Sequence, residues 1–348
     1  MRKRSSTTLL IAVLLASGLT ATAQKQYSVF NGETGQANQP PIEAQEERMS
    51  PVGQYIDEIR RCPSCPELRF RLGKAHFESG SRRDAMEAFQ EAVRLKPDYA
   101  EAHNGLGWAI QTFFVCGNAG KISSPPVEAF EEAITAHHRA LQLKPGYADA
   151  YRGIGRAHFA LKQYAAAAAA YEEAVRLDPD SGDSFDESFR FATFSRLAAC
   201  YEELNRFEDA VSTYKESIRR TSDYNLDELA DQKFADKKFR FLDDSMKLAL
   251  IYRTMGRHKE SADAYLQIIG QEPDNWSAHF QLCLTYLALE NRQAALAECD
   301  RLTTLLNRKL EDADEQEFEE HERSQFKERI DRVYGEQVRD LSKKIRGL

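Results

Sequence analysis

The six cysteines are the residues of this sequence best suited to chemistry, and two of them stand three positions apart. Cys62 and Cys65 form a Cys-x-x-Cys motif. Such a dithiol can exchange electrons, because a thiol at the start of a helix has a lowered pKa. However, no predicted strand precedes the motif and no βαβ pattern follows it, which favours a structural disulfide or two unreacted thiols. A redox-active pair stays the alternative.

The other cysteines are spread along the chain. Cys283 and Cys299 fall at facing small-residue positions of one predicted helix hairpin, so they are either bridged or packed as separate thiols. The demanding geometry of a disulfide favours separate core thiols. Cys116 and Cys200 receive no role.

A repeating pattern of about 34 residues positions these side chains. Its clearest copy is residues 148–179, where apolar and small residues recur at helical spacing along a first helix and then along a second. The residues that carry the pattern are Tyr151, Ile154, Gly155, His158, Ala167, Tyr171 and Ala174, followed by Pro179. Proline ends the second helix because it cannot continue it. The sequence therefore predicts a helix hairpin here.

This spacing resembles the tetratricopeptide repeat, abbreviated TPR. Six copies are predicted between about residues 66 and 307, with insertions near residues 113–126, 181–190 and 225–241. The resemblance implies an all-α fold, a right-handed superhelical solenoid of about six hairpins. Residues 51–65 are predicted to form an N-terminal capping segment, 66–309 the array, and 310–348 a charged C-terminal helix that caps the last hairpin or contacts a partner helix.

The first residues have the composition of a targeting segment. Three cationic residues, 2–4, precede an apolar run from Leu9 to Leu19 and small residues before Gln24. This order predicts a secretory signal peptide in residues 1–23 and a flexible leader in 24–50, and hence a secreted or periplasmic protein. The alternative is an uncleaved anchor, although the apolar run is short for a membrane span. No integral membrane span is expected in the mature chain.

Composition excludes other classes of function. Loss of the predicted signal peptide takes the formal net charge from −8 to about −11, which disfavours binding to nucleic acid or to an anionic membrane. The histidines, including His137 and His138, stand where the repeat has aromatic residues, and they lack the companions that a metal site needs. We find no glycine-rich phosphate loop and no nucleophile elbow. The sequence predicts no enzyme, cofactor or metal.

The concave face of the repeat array is the predicted binding site. Counting along each first helix assigns to it one set of cations, amides and aromatic residues, which we call the groove set. Its members are Phe70, Lys74, Asn104, Trp108, Gln111, Arg152, Arg156 and Phe159. This chemistry favours an extended peptide or protein segment, with an acidic one as the best fit. The carboxylate clamp by which some TPR proteins hold chaperones is absent.

The same counting places apolar residues in the later units. These are Met246, Leu250, Phe280, Leu284 and Leu287, which either bind a partner or receive the C-terminal helix. The leading hypothesis is thus a non-catalytic interaction scaffold. The alternative is a thiol oxidoreductase or redox-regulated adaptor using Cys62 and Cys65. A third hypothesis is that the insertions at 113–126 and 225–241 form a ligand pocket.

Overall fold

The structure is a computed structural model that describes residues 50–116, 127–179, 192–222, 232–315 and 336–347. The predicted signal peptide and almost all of the predicted leader lie outside these residues. The chain divides into two compact units, Met1–Gln54 and Tyr55–Leu348. Of the first unit only residues 50–54 are described, at the start of a helix.

The described residues form helices and no strand. The helices are α1 (Pro51–Arg61), α2 (Pro66–Glu78), α3 (Arg82–Leu95), α4 (Ala100–Cys116), α5 (Val127–Leu143), α6 (Ala148–Ala160), α7 (Tyr164–Leu177), α8 (Thr193–Glu203), α9 (Phe207–Ser222), α10 (Gln232–Thr254), α11 (His258–Gln271), α12 (Trp276–Ala288), α13 (Arg292–Glu315) and α14 (Glu336–Arg346). From α2 to α13 each helix packs against the next, in six hairpins. The predicted all-α helical-repeat fold is confirmed.

In the early hairpins, glycines of the first helices lie against the aromatic rings of the second helices. A Cβ atom added at Gly73 would lie 2.6 Å from the Phe89 ring, and one added at Gly105 of the next hairpin would lie 2.9 Å from it. Tyr171 meets Gly155 in the same way, at 2.8 Å. Since real Cβ atoms do not approach so closely, glycine is what lets the helices come near enough to enclose each ring.

Five of the hairpins close with the same turn. Its central residue has a positive φ in each case, and the next backbone N–H donates to a carbonyl five residues earlier, as in a Schellman motif. In the first hairpin Gly80 has φ 85° and the Ser81 N–H donates to His76 at 2.9 Å. In the third, Lys162 has φ 58° and the Gln163 N–H donates to His158 at 2.8 Å. This turn gives the array its regular period.

Two predicted insertions are partly helical. Helix α4 continues to Cys116, beyond the predicted start of the first insertion at 113, and α10 begins at Gln232, inside the insertion 225–241. The described part of this insertion is therefore an extension of a repeat helix. Residues 117–126, 180–191 and 223–231 lie outside the described residues.

The C-terminal helix lies against the last hairpin. Ile345 is buried with Cys283 and Cys299, and Leu341 packs on the same cluster together with Leu287. Helix α13 runs through the predicted boundary between residues 309 and 310. Helix α14 therefore covers the end of the sixth hairpin with its apolar residues. This agrees with the interpretation of the C-terminal helix as a cap rather than as a surface for a partner helix. Residues 316–335 lie outside the described part.

Cys283 and Cys299 form a disulfide between α12 and α13, with a Cα–Cα distance of 6.0 Å. The expectation of two separate core thiols is wrong, because the small-residue positions of a hairpin bring the two Cα atoms within bridging distance. Cys200 is a free, buried thiol. Burial raises its pKa to about 12, so it is not a reactive nucleophile.

None of the helices in the described part of the chain is long and apolar enough to cross a membrane.

Removal of the Cys283–Cys299 bridge, as Cys283→Ala/Cys299→Ala, is expected to lower the free energy of unfolding by about 3 kcal/mol, because the bridge closes a loop with a sequence separation of 16. Cys62→Ala/Cys65→Ala is the matched control. Its loop has a separation of only 3, so the expected loss is about 1.5 kcal/mol smaller. Urea unfolding followed by circular dichroism measures both. Equal losses would contradict this account.

Candidate functional site

The predicted groove of the second and third hairpins contains a buried polar network centred on His137. This side chain of α5 is fully buried, between Gly107 of α4 and Gly153 of α6. A Cβ at Gly107 would lie 2.6 Å from the imidazole, and one at Gly153 would lie closer still. His137 thus takes the place that Phe89 holds in the first hairpin, but it brings two polar atoms into the core.

Both imidazole nitrogens of His137 are hydrogen-bonded. Nδ1 lies 2.8 Å from Asn104 Oδ1, which can only accept, so the proton is on Nδ1. Nε2 then accepts from Gln111 Nε2 at 3.1 Å, and the same amide donates to the Gly153 carbonyl at 2.9 Å. The arrangement suits a neutral imidazole.

Asp149 of α6 is the second centre of the network. Its carboxylate is buried, and Oδ2 accepts from Asn104 Nδ2 at 2.6 Å and from Trp108 Nε1 at 3.0 Å. Asn104 also donates to the Tyr147 hydroxyl at 3.2 Å. These bonds join the first helix of one hairpin to the first helix of the next, so they fix how the two hairpins sit together.

The Arg152 guanidinium neutralises this buried acid. It is 2% exposed, and its Nη1 lies 3.7 Å from Asp149 Oδ1. Nη2 donates to Asp178 Oδ2 at 2.7 Å and to the Asp178 carbonyl at 3.0 Å, at the end of α7. A buried charge needs such partners, because desolvation costs several kcal/mol per ion. Arg152 is therefore a structural bridge between α6 and α7.

The structure thus separates the groove set into two layers. Asn104, Trp108, Gln111 and Arg152 are buried, which corrects the expectation that they line an open surface. They are turned into the network because Asp149 and His137, two residues that are not among the site residues predicted from the sequence, offer them partners. Peptide binding by these residues stays a prediction.

The other four members of the groove set remain accessible. Lys74 is exposed, 3.8 Å from Glu78, and Arg156 is half-buried with its guanidinium 5.5 Å from the centre of the Trp108 ring. Phe70 and Phe159 are half-buried and pack on neighbouring rings. The accessible layer therefore consists of two cations and two half-buried aromatic side chains.

Internal sequence signals for the network exist. Gly105 and Gly107 on α4 form a Gly-x-Gly pair, as do Gly153 and Gly155 on α6. Each pair sets one glycine against the ring of the preceding hairpin and the other against the ring of its own hairpin, as Gly153 meets His137 and Gly155 meets Tyr171. A histidine in the ring position then needs polar partners nearby.

The later units have fewer polar groups in this position. Leu250 is exposed and Met246 is half-buried, whereas Leu287 is in contact with the cluster that receives α14. A separate buried acid, Asp244 of α10, accepts from the hydroxyls of Ser195 and Ser217 at 2.5 and 2.6 Å. Burial raises the pKa of Asp244. It joins the fourth and fifth hairpins as Asp149 joins the second and third.

Two buried histidines have opposite electrostatics. Burial lowers the pKa of His137 to about 3. The pKa of His279 is raised, first because Nδ1 donates to Glu298 Oε2 at 2.8 Å; Nε2 also meets the Pro273 carbonyl at 2.9 Å. Both partners of His279 accept, so its charged form is favoured.

Cys62 and Cys65 form a disulfide with a Cα–Cα distance of 5.6 Å, just before α2. Both residues are half-buried, and Cys65 is the N-cap residue of α2. Among the residues that the structure describes, no three His, Cys, Asp or Glu side chains converge in a way that could hold a metal ion.

Replacement of His137 tests the network. His137→Phe fills the site with the residue type of the first hairpin but leaves Asn104 Oδ1 unpaired, so we expect a loss of about 1–3 kcal/mol in the free energy of unfolding at pH 7. His138→Gln, at the exposed neighbouring position, is the control and should change little.

The pH dependence of His137→Phe should also change. Because the folded-state pKa of His137 is about 3, the unfolded chain binds more protons between about pH 6.5 and pH 3, and stability falls as the pH drops through this range. The variant lacks this contribution. Urea unfolding at pH 7 and pH 5 should show a smaller difference than in the wild type; an unchanged difference would sink the assignment.

Protein-family models agree with this geometry. One model described as "Tetratricopeptide repeat" matches residues 127–182 and 246–307, and a second with the same description matches residues 193–225. A third model, described as "TPR repeat", matches residues 73–111. The unmatched intervals between them, residues 112–126, 183–192 and 226–245, each overlap one of the three predicted insertions. The predicted repeats are confirmed. A comparison with curated protein sequences gave no match.

Three solved structures that are similar to this chain have low sequence identity to it. The pilF protein of Pseudomonas aeruginosa is 15% identical, with 69% of this chain and 91% of that chain covered and a TM-score of 0.47. YrrB, described as a TPR protein with an unusual peptide-binding site, is 19% identical, with 63% and 93% covered and a TM-score of 0.46. MamA is 23% identical, with 52% and 92% covered and a TM-score of 0.40.

Proposed function

We propose that this chain, a tetratricopeptide-repeat protein, is a non-catalytic scaffold that binds a peptide or protein segment in the groove formed by its first helices. The observation that carries the proposal is the division of the groove set into a locked floor and an accessible layer. A rigid floor reduces the entropy that is lost when a flexible segment binds.

The chemistry of the accessible layer supports an acidic segment. Lys74 and Arg156 provide two cations, of which Arg156 lies over the Trp108 ring, and Phe70 and Phe159 provide apolar contact area. An Arg held over an indole ring is oriented by a cation–π interaction, so it loses little freedom when it meets a carboxylate. Carboxylates of a partner would add charge-assisted hydrogen bonds.

The place of action is part of the proposal. The cationic start and apolar run of residues 2–19 support export to the periplasm or the outside of the cell. A mature chain beginning at Gln24, found by intact-mass measurement of exported protein, would test this.

Charge reversal in the accessible layer tests peptide binding. Arg156→Glu and Lys74→Glu should each weaken binding of a fluorescein-labelled peptide of alternating Glu and Leu residues by about tenfold, since each replaces an attraction by a repulsion. Fluorescence anisotropy at low and at physiological salt measures the affinity, and wild-type binding should weaken with added salt. Trp108→Ala and Arg152→Glu are poor tests, because both residues hold the fold.

Arg176→Glu is the matched control, because Arg176 is an exposed cation on the second helix of the same hairpin and pairs with Glu173 at 2.7 Å. It should leave the affinity unchanged. Equal losses for Arg156→Glu and Arg176→Glu would indicate only a general charge effect, and no loss at either groove position would exclude the groove.

A second candidate function rests on the position of the Cys62–Cys65 bridge at the start of α2. A helix start stabilises a thiolate, as thiol oxidoreductases require. The reduction potential, measured by mass mapping of thiols in glutathione buffers, decides between the two. A structural bridge should lie below about −300 mV, whereas a value near −270 mV or above would favour exchange.

A further inference from the structure

A cleft of about 770 Å³ lies between the extension of α10 and the turn that joins α11 to α12. Its lining residues are Lys238, Gln271, Glu272, Pro273, Asp274, Asn275, Trp276 and Ser277. None of them belongs to the groove set. The volume is in the range of small-ligand sites, which is about 300–1,000 Å³.

The cleft is an addition to the repeat. The corresponding turn after the first hairpin, residues 96–103, has the same Pro-Asp pair, and its His103 bonds the Pro97 carbonyl at 3.0 Å just as His279 bonds Pro273 at 2.9 Å. There the positions of Trp276 and Ser277 hold Ala100 and Glu101. The repeat fold therefore needs neither the indole nor the hydroxyl at this place.

The helix extension is likewise unneeded for the hairpin. Helix α10 has 23 residues, whereas the first helices α2, α6 and α12 have 13 each. Lys238 on the extension reaches Glu272 of the turn at 3.0 Å. This ion pair ties the extension to the turn and holds that wall of the cleft.

Trp276 supplies an anchored apolar surface. It is half-buried and packs, with Phe280, on Leu302 and Leu306 of α13. The side chain is thereby held in place, and Trp276 is one of the residues that line the cleft. A fixed aromatic face of this kind suits a ligand that has a flat apolar side.

The charges of the cleft compensate one another. Glu272 is paired with Lys238 and also accepts from Asn275 Nδ2 at 3.2 Å. Asp274 lies 3.6 Å from Arg308. An anion would meet two carboxylates, and a cation would find both of them already paired, so the cleft favours a neutral ligand.

Two uncharged side chains of the cleft can hydrogen-bond a ligand, and the Asp274 carboxylate, 3.6 Å from Arg308, can accept as well. Within the described part of the chain, the side chains of Gln271 and Ser277 make no hydrogen bond, whereas Asn275 Oδ1 already accepts from the Ala278 N–H at the start of α12 at 3.0 Å. Donors and acceptors thus line one cleft. A ligand rich in hydroxyl groups satisfies both kinds, because each hydroxyl donates and accepts.

We propose that this cleft binds a short neutral oligosaccharide, with the Trp276 ring against a sugar face and with Gln271, Ser277 and Asp274 as hydrogen-bonding groups. This site is independent of the peptide groove and goes beyond the proposed function.

Tryptophan fluorescence of the full chain provides the test, since the chain has only two tryptophans and Trp108 is fully buried. The probes are maltotriose, cellotriose and triacetylchitotriose, with trilysine as the cationic comparison. At least one trisaccharide should give a saturable change with a Kd of about 1 mM or below, confirmed by calorimetry. Because Trp276 is itself the reporter, binding to Trp276→Ala is measured by calorimetry, and it should be abolished.

Gln271→Ala/Ser277→Ala keeps the test sharp if Trp276→Ala fails to fold, and it should weaken binding by about tenfold. Asp274→Asn should also weaken binding, whereas Asp98→Asn at the matched position of the first turn should not. Three outcomes overturn the proposal: no saturation by any trisaccharide at about 20 mM, unchanged binding by the double variant, or binding of trilysine alone.

Discussion

The close approach of helices around an enclosed ring is the constraint on which this structure depends. One hairpin cannot bury the aromatic residue of its second helix, so the next hairpin must supply the other wall. The ring of Phe89 lies between glycines of two successive first helices, and that of Tyr171 lies against Gly155. Each hairpin is thus completed by its neighbour, and the array follows from repetition of a single contact.

At one junction this contact is polar. His137 sits between Gly107 and Gly153, and the buried nitrogens require partners that an aromatic hydrocarbon would not. Asn104 and Gln111 provide them, and Asp149 with Arg152 completes the set. These hydrogen bonds and the ion pair compensate the desolvation of the buried charges. They could not form if one hairpin were shifted along the other, so the network specifies how the two hairpins pair.

At the end of several hairpins, the residue that follows the second helix forms an ion pair with the first helix, and in some hairpins the two charges are exchanged. Lys96 pairs with Glu67 and Lys144 with Glu101, whereas at the matching position Asp178 pairs with Arg152 and Glu272 with Lys238. Exposed pairs add little stability. In the two exchanged pairs the cation has a further role. Arg152 belongs to the buried network, and Lys238 lies on a helix extension beside a cleft. The third and fifth hairpins therefore differ from the other repeats, since one contributes to the buried network and the other to the cleft.

The sequence by itself determined the repeat, because helical spacing, small residues and terminal prolines are local signals that survive in each copy. The hairpins and the intervals between them were readable from residue types at fixed spacing. Tertiary structure decided which side chains are accessible. The groove set occupies equivalent faces of three first helices, yet only some of its members are accessible. Lys74 and Arg156 are accessible, whereas Asn104, Trp108, Gln111 and Arg152 are buried. The difference arises because burial depends on partners such as Asp149 and His137, which are distant in sequence. Tertiary structure also joined Cys283 to Cys299, since only the packed hairpin brings their Cα atoms to 6.0 Å.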